Sequence, residues 1–179
     1  WLLDQIEGGS SHYHMPMVLE LSGHLDVEAV RNALQQIVQR HAVLRTTFEL
    51  DDVGEPCQVV HRSVPMMLNV EDVQGLKGAA QQSALRELVA AILTQRFDLS
   101  RDAMLRVKLI QVADNKHVLV VNIHHIASDG WSMGVLMREF VEFYRARIAG
   151  TKPVLADLPV QYVDYALWQR TYLRGEVLE

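Results

Sequence analysis

The stretch Asn122-Ile123-His124-His125-Ile126-Ala127-Ser128-Asp129-Gly130-Trp131-Ser132 gathers residue types suited to proton transfer. Two adjacent histidines close an apolar run, Val118 to Ile123, and an acid and a glycine follow four and five residues after the second histidine. An imidazole titrates at about pH 6.5, so such a ring can accept and return a proton near neutrality. The apolar run reads as a buried strand and the segment after Gly130 as a helix. The histidines therefore stand where a strand opens into a loop, a usual place for chemistry on a rigid scaffold. Strand neighbours point to opposite faces. If His125 faces a cleft, His124 faces the packed side and is structural.

Other chemistries for the same residues are weaker. Gly130-Trp131-Ser132-Met133-Gly134 fits the G-x-S-x-G nucleophile elbow, but that arrangement needs a histidine after the serine. All eight histidines (12, 14, 24, 41, 61, 117, 124 and 125) precede Ser132. Adjacent strand histidines diverge and Cys57 is far away in sequence, so no zinc site is expected. His41 falls on the apolar face of a helix and reads as a satisfied core histidine. His12 and His14 read as exposed loop residues.

The elements that must hold this loop follow from periodicity. Met15 to Leu21 reads as a strand. Asp26 is a candidate N-cap, with Leu25 and Val30 placed as a hydrophobic staple. Val27, Val30, Leu34, Ile37, Val38 and His41 then recur at helical spacing. Val43 to Leu50 and Pro56 to His61 read as a hairpin about the turn Asp51–Glu55, and 63–77 as irregular. Ala79 to Arg96 reads as a helix. Leu105 to Val112 and His117 to His124 read as a second hairpin. Trp131 to Ile148 is helical, stopped by Gly150 and Pro153. A linker, 151–159, leads to a final helix, Tyr162 to Leu173. Helices interleaved with hairpins predict an α/β protein, an α+β sandwich with a mixed β-sheet flanked by helices.

The chain has 179 residues, 49% hydrophobic and 22% charged, enough for one core. The net charge of -5 and the lack of a basic patch argue against nucleic acid. No apolar run approaches a membrane span. One cysteine allows no internal disulfide, which fits a reducing, cytoplasmic setting. The chain opens on Trp1-Leu2-Leu3 without a methionine, as a piece of a longer protein would.

Four blocks, in order, resemble the N-terminal half of a condensation domain of nonribosomal peptide synthetases. They are Trp1-Leu2-Leu3-Asp4-Gln5, Arg40-His41-Ala42-Val43-Leu44-Arg45-Thr46-Thr47-Phe48, His124-His125-Ile126-Ala127-Ser128-Asp129-Gly130 and Tyr162-Val163-Asp164-Tyr165-Ala166-Leu167-Trp168. The third matches the family signature His-His-x-x-x-Asp-Gly. The resemblance implies a chloramphenicol acetyltransferase-like lobe over residues 1–179, with the C-terminal lobe absent. It also implies amide-bond formation between thioesters borne on phosphopantetheine arms of donor and acceptor peptidyl carrier proteins, with an adenylation domain alongside.

The resemblance makes His125 the reactive imidazole, as base or as positioner, and His124 structural. Asp129 could orient His125 as the third member of a relay, but the resemblance favours an ion pair between Asp129 and Arg45 that holds the loop. Gly130 is expected to let substrate approach its backbone, to sit in a turn at positive φ, or both. Trp131 and Ser132 are candidate tunnel residues, with a backbone N–H there as a candidate oxyanion donor. No metal and no directly bound cofactor are implied. An epimerisation domain shares the signature, and a non-catalytic carrier-docking lobe is the reading from another class. The first two blocks look more like condensation, and like its subclass that takes a D-configured donor.

Overall fold

The apolar run ahead of His124 forms an inner strand of a four-stranded sheet, in a computed structural model that describes residues 1–174. The expected domain runs to 179, so its last five residues lie outside the described part. The helices are α1 (Leu2–Glu7), α2 (Val27–Arg40), α3 (Gly78–Thr94), α4 (Gly130–Ala149) and α5 (Tyr162–Tyr172). The strands are β1 (His14–Ser22), β2 (Thr46–Leu50), β3 (Pro56–Val60), β4 (Leu68–Asp72), β5 (Leu105–Ala113) and β6 (Lys116–His124).

The main sheet has the order β1-β6-β5-β4. β6 pairs antiparallel with β1 and β5, and β4 runs parallel to β5, so the sheet is mixed as expected. β2 and β3 form a separate hairpin. β6 is buried on both faces, which explains its unbroken apolar run. Leu119, Val121 and Ile123 pack towards α2 and α4 with Val30, Leu34, Ile37, Leu136, Phe140 and Phe143. Val118 and Val120 pack on the opposite face with Ile92 of α3. Helices thus cover both sides. Side chains such as Leu34 and Leu109, at most 1% exposed, each contribute about 1.5–3 kcal/mol by leaving water.

The ends of the elements obey local rules. The Asp26 carboxylate accepts from the Ala29 N–H at 2.8 Å and starts α2. Gly150, at φ 65°, ends α4 in the left-handed region, and its N–H bonds to carbonyls of the last turn. Gly150→Ala puts a β-carbon where the backbone disfavours one, at a cost of about 1–2 kcal/mol. A lower urea midpoint is expected, and an unchanged midpoint overturns the cap assignment.

Four expectations need correction. His14, expected in an exposed loop, begins β1 and is half-buried, with its Nδ1 2.8 Å from the Leu93 carbonyl. The strand expected from Val43 begins at Thr46, because Ala42–Arg45 form a 3-10 turn. The Thr46 hydroxyl donates to the Ala42 carbonyl at 2.8 Å and secures that turn. The irregular stretch 63–77 contains β4, an edge strand. Leu2–Glu7 forms a helix where no element is expected.

Candidate functional site

β6 ends at His124 and the chain turns at once. The Ala127 N–H donates to the His124 carbonyl at 3.0 Å, and the His125 N–H continues the ladder to the Tyr13 carbonyl at 2.7 Å. This turn fixes the His125 backbone while its ring stays exposed. The ring lines a cavity of about 380 Å³ with His41, Val43, Ile126, Ala127, Ser128, Asp129, Ser132 and Tyr162. A second recess of about 210 Å³, mostly apolar, shares His41, Val43, Ala127, Ser128 and Ser132 and reaches Ile123, Val135 and Leu136.

His124 takes the other side, as strand alternation requires. It is 3% exposed, among the rings of Tyr13, His14 and Phe97. Its Nδ1 accepts from the Ile126 N–H at 3.1 Å, so the neutral ring carries its proton on Nε2, 3.7 Å from Asp4 Oδ1. Burial holds its pKa below the usual histidine value, with Asp4 opposing that shift. Burial also lowers the pKa of His117. The unfolded chain therefore binds protons, below its histidine pKa of about 6.5, that the folded chain refuses. Stability is full above that pH and is lost as pH falls towards the folded values. The urea midpoint is expected to be flat above about pH 7.5 and to fall below about pH 6.5. A midpoint that rises on acidification through this window contradicts the burial of these rings.

Asp129 and Arg45 are not brought together. The Asp129 carboxylate is exposed and caps α4, accepting from the Ser132 N–H at 2.8 Å and the Ser132 hydroxyl at 2.6 Å. The Ser132 hydroxyl bond, then its N–H, holds the Asp129 pKa below the usual carboxylate range. Arg45 instead donates to the His61 carbonyl, and its Nε is buried without a partner. The helix N-terminus claims Asp129 first because Ser132 lies three residues on, whereas Arg45 is occupied at the end of β3.

Gly130 is the first residue of α4 and does not have positive φ, so the turn-glycine reading is set aside. A β-carbon there would meet nothing within 4 Å, which leaves its backbone open to approach. Ser132 lines the cavity but its hydroxyl serves the cap. Trp131 is 82% exposed and is not among the cavity-lining residues.

Sequence reasoning missed the role of His41. It caps the C-terminus of α2, and its Nε2 lies 2.6 Å from Glu139 Oε2 on α4. It is satisfied, as expected, yet it also walls both cavities. A signal was present: Glu139 falls on the Leu136, Phe140, Phe143 stripe, where a carboxylate needs a partner. Among the described residues, no group of three or more His, Cys, Asp or Glu is arranged to hold a metal ion, and no helix is long and apolar enough to cross a membrane.

The family profile described as "Condensation domain" matches residues 1–179. One component of the linear gramicidin synthase of Brevibacillus parabrevis is 42% identical over 179 residues, all of this chain and 2% of that protein. The X-domain from teicoplanin biosynthesis, solved in complex with OxyB, superposes with a TM-score of 0.80 at 36% identity, covering 92% of this chain and 34% of that one. The starter condensation domain of rhizomide synthetase RzmA gives a TM-score of 0.85 at 22% identity over 98% of this chain and 42% of that one, a likeness of fold. The chain thus spans a small part of that synthase and less than half of these solved chains.

Proposed function

This chain belongs to the condensation domain family, and from that premise we propose that it is the N-terminal lobe of a domain that joins carrier-bound acyl groups by an amide bond. The observation that carries the reading is the exposed His125 ring, fixed by a tight turn over a cavity that can admit substrate, beside a His124 buried in packing.

The donor is an acyl or peptidyl thioester and the acceptor an aminoacyl thioester, each on the phosphopantetheine arm of a peptidyl carrier protein. His125 meets the acceptor amine. The amine nitrogen bonds to the donor carbonyl carbon, the C–S bond breaks, and the released thiolate takes up the proton that the nitrogen loses. The thioester is already activated, so alignment of two tethered reactants supplies much of the acceleration. A neutral imidazole at His125 holds the amine in line and receives its proton. A C-terminal lobe supplies the other wall of the cavity. The reaction uses no metal and no resident cofactor, and an adenylation domain supplies the loaded carriers. The expected setting is cytoplasmic.

The experiment is a single-turnover assay of a complete condensation domain carrying this chain, with both carriers loaded. Amide product from the parent, lost in a folded His125→Ala variant, bears out the reading. Unchanged turnover in that variant removes His125 from the chemistry. A docking lobe is the second reading, favoured by the similarity to an X-domain solved with OxyB. Carrier binding without product from the folded parent would support it. Solvent deuterium entering the α-carbon, with no amide formed, would instead indicate epimerisation.

A further inference from the structure

Glu139 is a buried carboxylate with no part in the chemistry described above. Its side chain is 8% exposed and both oxygens are engaged. Oε1 accepts from Arg40 Nε at 3.0 Å and Oε2 faces His41 Nε2 at 2.6 Å. Arg40 supplies the countercharge that a buried carboxylate needs, and it also donates to the Ala156 carbonyl. Glu139 as acceptor places the His41 proton on Nε2 and leaves Nδ1 with its lone pair. No residue in the described part hydrogen-bonds to that Nδ1, and it is not among the fully buried atoms that lack a partner, in a side chain that is 23% exposed.

The ring is held firmly. The Gln161 side chain accepts from the Ala42 N–H at 2.9 Å and donates to the Arg40 carbonyl at 3.0 Å, bracketing His41 between them. It shares the 380 Å³ cavity with His125. A carboxylate that fixes the tautomer of an imidazole at the wall of a reaction cavity is the arrangement that makes histidine a directed proton acceptor.

We propose that His41 is a second catalytic imidazole: its Nδ1 takes the proton from the incoming α-ammonium group, leaving His125 to align the neutral amine. The inference rests on the condensation reading. One proton passes from nitrogen to Nδ1, the amine lone pair is freed, and the imidazolium pairs with Glu139. The imidazolium then releases that proton to solvent, and the thiolate takes up the second proton, the one the nitrogen loses as the amide forms. The charged and titratable groups around His41 are Glu139 from α4, Arg40 from its own helix end, and His125, Asp129 and Tyr162 around the cavity.

The test is single-turnover amide formation by the complete domain, with loaded carriers, at low and high pH. An α-amino group titrates at about pH 7.7–8.0, so the acceptor arrives charged near pH 6.5 and neutral near pH 9. His41→Gln keeps a donor for Glu139 but cannot hold the proton. It is expected to be at least about 10-fold slower near pH 6.5 and within about 2-fold of the parent near pH 9. Glu139→Gln preserves shape, yet its amide N–H can donate to Nε2 and move the ring proton to Nδ1. The same pH-dependent deficit is expected, which keeps the test open if His41→Gln fails to fold. A deficit equal at both pH values, or parent-like rates near pH 6.5, overturns the inference and leaves a structural clamp. His125→Ala is slow at both pH values if the condensation reading holds, so the two failures are distinguishable.

Discussion

His125→Ala is expected to slow single-turnover amide formation by about 10²–10⁴-fold, the usual worth of a positioned acid–base group. The melting temperature should stay close to that of the parent. The ring is exposed, and the bond that fixes the turn is made by the backbone N–H to the Tyr13 carbonyl, which alanine retains. His124→Ala reverses the pattern. It empties a buried ring site among Tyr13, His14 and Phe97 and removes the acceptor for the Ile126 N–H. Stability falls, and activity falls with it. Measuring rate and melting temperature for the two neighbours separates chemistry from packing. A large stability loss in His125→Ala with rate following it in proportion would remove that separation.

Glu139→Ala is expected to cause a large stability loss, about 3–5 kcal/mol, because it strands a partly buried guanidinium. For a chain of this size that corresponds to a fall of roughly 6–20 °C in melting temperature. Arg40 and His41 lose their common acceptor, and α2 loses its polar tie to α4. The penalty belongs to the broken pair more than to the intact one. Replacing Arg40 and Glu139 together with methionine should therefore recover most of the loss in chemical denaturation. A double variant as unstable as Glu139→Ala would show that packing, not the stranded charge, dominates.

The parts legible in the sequence were those whose signal is local. α2 and α4 show apolar residues at helical spacing, and the cap expected at Asp26 is in place, whereas the cap at Asp129 was not anticipated. The β5–β6 hairpin is announced by Asp114-Asn115 between apolar runs. The divergence of His124 and His125 follows from strand alternation alone. β4 escaped because it is short, mostly exposed and paired to one neighbour in parallel, so no turn beside it marks a partner. The Arg45–Asp129 pairing failed for a related reason: sequence order does not reveal that Ser132 and the His61 carbonyl reach those groups first. The His41–Glu139 contact joins residues 98 positions apart and becomes visible when α2 and α4 are packed together.

The sheet order bears on how the chain can be made. β1 finds its partner in β6, with His14 opposite His124 and Ser22 opposite Lys116. During vectorial synthesis at about 5–20 residues per second, the first strand waits several seconds or longer for that partner to leave the ribosome. Through that interval its alternating Met17, Leu19 and Leu21 lack the core they later join. Ribosome-bound chains halted before β6 should then be captured by holdase chaperones and cut by proteases near β1. Chains released past α4 should resist both.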